Sequence, residues 1–270
     1  MDQPVHAELQ PLPTPVEGQL IFEQPLNERI RTFLRLDFLY NQALYQSEIA
    51  TSWSSRAAMT SLIDMLAITS RGDLRTDVLK DLERHLAQLT DYQNRPGVDA
   101  SRLRSVIDNL TRLREDLHGA GSNFLQPVRD SEFLNSIRHR SAIPGGTCEF
   151  DLPDYYYWLS QPSAERMRAF GQWLSVLRPL CDGIAELLWL TRQNGRSREE
   201  VAKGGVYVVN FDRDAPPQLL RIALPAAAAL YPEMSGSHYR CSVRFLKWNG
   251  LTSRPTQSEE DVRFTLSSCP

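Results

Sequence analysis

The sequence predicts an α+β fold: a mainly helical domain plus a smaller antiparallel β-sheet domain assembled from discontinuous segments. Three observations carry that prediction. Apolar residues recur at helical spacing from about residue 28 to residue 188. From Gly204 onward the period changes to two, with strands broken by Pro, Gly, Asp and Asn. Two strand-like fragments, residues 19–24 and 147–152, lie upstream of that change and are placed to join the sheet from a distance.

Residues 1–18 carry four prolines and little periodic apolar content, which reads as a mobile tail. Pro25 and Asn27 then introduce a helix from about Glu28. Its Ile30, Phe33, Leu34, Leu36, Phe38 and Leu39 exceed a single stripe, so part of that surface is expected to meet another helix or a second subunit. A second helix covers 54–71 with Met59, Leu62, Ile63 and Leu66 at helical spacing, and Gly72 stops it.

Asp73 caps the next helix, and residues 73–115 form a helical hairpin that turns at the RPG of 94–99. Gly119 and Gly121 break the pattern before a helix over 131–140. Pro144, Gly145 and Gly146 end it. Alternation of Cys148, Phe150 and Leu152 with Thr147, Glu149 and Asp151 then predicts a short strand, stopped by Pro153. Ser163 starts a long helical pattern that Pro179 is expected to break or kink. The remaining strands are predicted at 206–211, 219–224, 239–247 and 262–266, with short links that favour antiparallel pairing.

The domains are therefore a tail at 1–18, a helical domain at 26–203 with an inserted strand at 147–152, and a sheet domain at 19–25 and 204–268. The formal charge of −3 does not suggest a general polyanion binder. Cys148, Cys181, Cys241 and Cys269 contain no CxxC pair and read as reduced thiols. No cationic and apolar leader opens the sequence, and no apolar run reaches the ~20 residues that span a bilayer. Five histidines show no metal-ligand spacing, and neither GxSxG nor a phosphate-binding glycine loop occurs, so no catalytic residue, metal or cofactor is assigned. The RGD at 71–73 reads as a helix stop followed by a helix cap.

Within 239–247, alternation sends Tyr239, Cys241, Val243 and Phe245 to one face and Arg240, Ser242, Arg244 and Leu246 to the other. Arg240 and Arg244 then lie roughly 13 Å apart on one side. Arg221 and Arg263 follow the same logic, which predicts an arginine-bearing sheet face. That face can be a solvated one with arginines paired to Glu23, Glu149 or Asp151. It can equally receive a peptide bearing carboxylates and apolar side chains. Tyr155, Tyr156 and Tyr157 suit either interior packing or a partner surface. A nucleic-acid module using the basic sheet face and these tyrosines is the alternative reading.

Three strings, IFEQPLNERIRTFLRLDFL (21–39), IPGGTCEFDLPDYYYWL (143–159) and LYPEMSGSHYRCSVRF (230–245), resemble the ZapD family of FtsZ-associated cell-division proteins. The resemblance runs from about Gln19 to Leu266. It implies a cytoplasmic, non-enzymatic homodimer, formed through the helical domain, that binds the C-terminal tail of FtsZ and bundles its filaments at midcell. It implies no cofactor, no nucleic acid and no membrane insertion. Arg240 and Arg244 in SHYRCSVRF, Arg71 in TSRGDLR and Arg35 in RTFLRLDFL match family positions and are the implied tail contacts, with an ion pair on the helix surface the other role open to Arg35. Tyr156 joins them at a position that can hold histidine in the family.

Overall fold

The structure, a computed structural model, describes residues 18–70, 72–93, 98–237 and 239–270. The tail expected at 1–18, apart from Gly18, lies outside the described residues, as do most of the RPG turn and Arg71. The chain divides into two compact units, Arg35–Leu187 and Leu188–Pro270, the latter including the described residues up to Leu34.

Among the described residues eight helices form: α1 (Glu28–Ser47), α2 (Ser52–Thr69), α3 (Leu74–Tyr92), α4 (Ala100–Gly119), α5 (Gln126–Arg129), α6 (Glu132–Ser141), α7 (Pro153–Ser160) and α8 (Ser163–Gln193). Local chemistry sets their starts. The Asn27 side chain accepts from the Ile30 N–H at 2.8 Å at the head of α1, and Thr51, Asp73, Asp99 and Ser131 cap α2, α3, α4 and α6 in the same manner. The Thr76 hydroxyl and N–H hold the Asp73 carboxyl below its ordinary range.

In the helical unit α3 and α4 pack as the expected hairpin. Met59, Leu62, Leu82, Leu110, Leu117, Leu134 and Leu177 are fully buried there. Pro179 does not end α8, which continues to Gln193. Leu174 and Leu177 before the proline, and Leu180, Cys181, Ile184 and Leu187 after it, are all buried. Burial at ~1.5–3 kcal/mol per large side chain outweighs the ~3 kcal/mol that an interior proline costs.

The expected strand at 147–152 is corrected to a run of turns. Gly146 N–H donates to Ile143 O, Cys148 N–H to Gly145 O and Leu152 N–H to Cys148 O, each within about four residues. Alternation over six residues has no force without a partner strand. Here Phe150 is 84% exposed, so the apolar half of the pattern is not collected into a core.

The second unit holds two antiparallel sheets. β1 (Gln19–Pro25), β4 (Leu219–Pro225), β8 (Val262–Cys269) and β2 (Arg196–Ala202) lie in the order β1-β4-β8-β2. β3 (Val206–Asn210), β6 (Arg240–Lys247) and β5 (Leu230–Gly236) form the other in the order β3-β6-β5, with β7 (Thr256–Gln257) pairing the far end of β6. β1 reaches its place from the far end of the sequence, Phe22 opposite Ile222 and Glu23 opposite Arg221. β2 corrects the reading of residues up to 203 as helical, and β5 is a strand the spacing did not announce. Both sheets contribute to one core: Leu220, Ile222, Leu224, Phe264 and Leu266 from the first, Val209, Cys241, Val243 and Phe245 from the second. Phe264 meets Phe245 at 4.9 Å and Tyr207 at 5.2 Å between ring centroids.

Gly204 and Gly205, with φ of +53° and +72°, make the two-residue turn that carries the chain from one sheet to the other. A Cβ on Gly205 would stand 2.3 Å from Ser258 O. Gly205→Ala is expected to lower unfolding free energy by about 2 kcal/mol in a denaturant titration followed by circular dichroism, with Gly204→Asn nearly neutral.

Tyr40 in α1 donates to Asp182 in α8 at 2.9 Å. Burial raises the Asp182 carboxyl above its ordinary value, against the opposing pull of Tyr40, Arg178 and Arg112. A carboxyl raised on folding penalises the native state once ionised, so its favourable contribution is present in acid and lost as pH climbs through the folded pKa. Asp182→Asn, which keeps the acceptor for Tyr40, is therefore expected to be at least as stable as wild type at pH 7. The difference should shrink as pH falls toward the ordinary carboxylate range, measured by thermal melts across pH.

Candidate protein-binding surface

β6 is fixed by what it buries. Cys241, Val243 and Phe245 are completely covered, and the residues between them, Arg240, Ser242, Arg244 and Leu246, therefore face outward. The structure thus brings Arg240 and Arg244 to one face as the spacing predicts. Across the ladder Arg244 stands between Val206 and Glu233, Ser242 between Val208 and Ser235, and Arg240 opposite Asn210.

Their electrostatic situations differ. Arg244 makes an ion pair with Glu233, both side chains more than half exposed, so the pair contributes little to stability. Arg240 has no ion-pair partner among the described residues. Beyond it Arg213 lies over the Tyr239 ring at 5.9 Å, and Val206 and Val208 are 38% and 42% exposed. Guanidinium beside uncovered apolar surface can take a carboxylate and an aliphatic side chain together.

The single arginine face is corrected. Arg221 and Arg263 belong to the β1-β4-β8-β2 sheet, whose inward side chains fill the same core as those of β6, so its outward residues point the opposite way. Arg221 is moreover occupied: Glu23 accepts from Arg221 Nε at 2.9 Å and from Arg192 Nε and Nη2 at 2.9 Å each. Glu149 and Asp151 lie in the turns of the helical unit and not on a strand. Asp151 pairs with Arg140 at 3.5 Å.

In the helical unit Arg35 is exposed on α1. It has no ion-pair partner among the described residues, and Arg31 takes the neighbouring Glu28 at 3.1 Å. Arg71 lies outside the described residues, although Gly72 and Asp73 beside it line a recess of about 440 Å³ with Arg75 and Arg129. Those two arginines already donate to the backbone, Arg75 to Leu117 O at 3.1 Å and Arg129 to Thr69 O at 2.9 Å.

The three tyrosines separate on α7. Tyr155 is buried, stacked on Trp158 at 5.9 Å and beneath the Arg56 guanidinium at 5.0 Å, and burial pushes its hydroxyl up to about 12. Tyr156 and Tyr157 are 50% and 69% exposed. Arg56 also donates to Thr147 O at 2.8 Å, holding the 143–151 turns against α2. Glu233, Arg213 and the β3 valines were not singled out from the sequence, because alternation shows which way a strand faces but not which strands lie beside it.

The chain is built of a helical unit and a two-sheet unit, with charged and apolar groups facing outward from β6. Among the described residues no three His, Cys, Asp or Glu side chains gather to hold a metal, and no helix is long and apolar enough to cross a membrane. Residues 34–244 match the family model ZapD, described as a cell division protein. A cell division protein ZapD of Methylococcus capsulatus is 36% identical over 94% of this chain and 99% of its own length. Those of Azoarcus sp. and Janthinobacterium sp. are 32% and 35% identical, over 92% and 93% of this chain and 98% and 99% of theirs. The chain belongs to the ZapD family of cell division proteins.

Because Arg240 and Arg244 support no buried contact, replacing both by alanine is expected to change unfolding free energy by less than about 1 kcal/mol. Glu23→Gln, which breaks a half-buried triad, should cost about 1–3 kcal/mol in the same titration.

Proposed function

We propose that this chain binds the C-terminal tail of FtsZ on the outward face of β6 and, as a homodimer, crosslinks and bundles FtsZ filaments to support assembly of the division ring. The observation that carries this reading is the Arg240–Arg244 pair, forced outward by the core, with Arg240 lacking an ion-pair partner among the described residues and uncovered valines alongside. Such a surface suits a peptide that brings carboxylates and aliphatic side chains. Family membership supplies the cell-division context.

Arg35, Arg71 and Tyr156 are further contact candidates. The protein acts in the cytoplasm and is recruited to midcell through the tail itself. Bundling follows from bivalency: once one tail of a twofold pair is held, the second attachment is effectively intramolecular, so modest affinity per tail supports strong crosslinking. No turnover is required. The nucleic-acid alternative loses a stacking group, since Tyr155 is buried in the helical unit.

Co-sedimentation with polymerised FtsZ tests the reading. Arg240→Ala/Arg244→Ala, at matched melting temperature, is expected to lose most bundling and to weaken a synthetic tail peptide roughly 100-fold, the equivalent of two charge-assisted contacts. A scrambled peptide is the control. Unchanged pelleting by the double variant would remove the assignment, and a mass of one chain by light scattering would remove the dimer.

A further inference from the structure

The four outer strands of the two sheets are not equally protected. β2 carries Arg196, Arg198, Glu199 and Glu200, β5 carries Pro232 and Glu233, and β1 ends in Pro25. Charges and prolines of this kind discourage a further strand from pairing. β3 reads VYVVN, with neither charge nor proline.

The ladder fixes which of its backbone groups are open. Phe211 N–H donates to Tyr239 O and Phe245 N–H to Gly205 O, each at 2.9 Å. With Tyr207 opposite Val243 and Val209 opposite Cys241, the hydrogen-bonded pairs fall on the odd-numbered residues of β3. Val208 and Asn210 therefore turn their N–H and C=O groups away from β6. Among the described residues no strand pairs with that side of them. Their side chains are exposed on the same face as Arg240 and Arg244.

We infer that the edge of β3 is a strand-addition site: an extended acidic and apolar peptide pairs its backbone with Val208 and Asn210 and directs its carboxylates over β3 toward Arg240 and Arg244. This rests on the tail-binding reading and adds how the peptide is held. The occupant follows from charge complementarity. Side chains of an added strand that share this face lie two strand spacings, about 10 Å, from β6. An arginine and a glutamate reaching from either side close that gap. Val206 and Val208, in the row between, meet the aliphatic side chains. Main-chain bonds supply affinity and the alternate side chains supply selection.

The test uses the full chain and a fluorescent FtsZ C-terminal peptide, with two further peptides N-methylated on alternate residues in opposite phase. Strand addition predicts roughly tenfold or greater weakening for one phase and near-normal binding for the other, since only every second N–H faces the partner strand. Val208→Pro, which removes an outward N–H and no ladder bond, should weaken the unmodified peptide comparably at an unchanged melting temperature.

Equal tolerance of both phases, or equal loss in both, overturns strand addition. If Arg240→Ala/Arg244→Ala still abolishes binding in that case, the tail-binding reading stands without it. Peptide binding that is absent, or indifferent to the arginine variant, overturns both. Dissociation of a dimer by Val208→Pro would show that a second copy of the chain covers this edge, and would overturn the inference.

Discussion

The packing of Cys241, Val243 and Phe245 into the core shared by two sheets is the constraint on which the surface chemistry depends. Side chains alternate along a strand without exception unless a bulge intervenes, so burying these three commits Arg240, Ser242 and Arg244 to the outside. Phe264 of the facing sheet closes the core over Phe245 and makes any slip of register costly, because it would exchange three apolar side chains for two guanidiniums. The same closed core sends Arg221 and Arg263 the other way. One packing decision thus creates a basic, partly apolar face on β6 and separates it from the remaining strand arginines.

Arginine count says little about availability. Arg221 and Arg192 are held by Glu23, Arg75 and Arg129 by backbone carbonyls, and Arg166 is buried in a knot of acceptors. That knot includes Ser55 Oγ at 3.0 Å, Ala50 O at 2.6 Å, Leu159 O at 3.3 Å and Gln161 O. It fastens the α1–α2 loop and the end of α7 to α8. A planar group with five donors can satisfy several carbonyls that no helix ladder reaches, which explains why such a charge tolerates burial. Against that background Arg240 and Arg35 are exposed and without an ion-pair partner among the described residues, a condition they share with Arg213 and Arg263.

The helical unit shows a second division of labour on one short element. α7 begins at Pro153, where a missing N–H costs nothing in the first turn. Its Tyr155 and Leu159, four residues apart, enter the core, which leaves Tyr156 and Tyr157 outside. Three identical residues acquire different roles because a helix advances about 100° per residue.

By itself the sequence determined what depends on near neighbours. The starts of α1, α3 and α6 were legible because Asn27, Asp73 and Ser131 act over three residues. The outward pairing of Arg240 with Arg244 was legible because alternation is a property of one strand, and the family was legible in three short strings. Strand membership was decided elsewhere. β2, with its run of charges, has no buried alternation to announce it, yet it pairs along β8 from Arg196 opposite Ser268 to Ala202 opposite Val262. Residues 147–152 alternate convincingly and still form turns, for want of a neighbour. Only the tertiary structure could split the arginines between two sheets, pair Arg244 with Glu233, and leave one side of β3 with no strand beside it among the described residues. Each of these depends on which distant segment lies alongside, and hydrogen bonding and burial between strands carry no trace in the local spacing of either one.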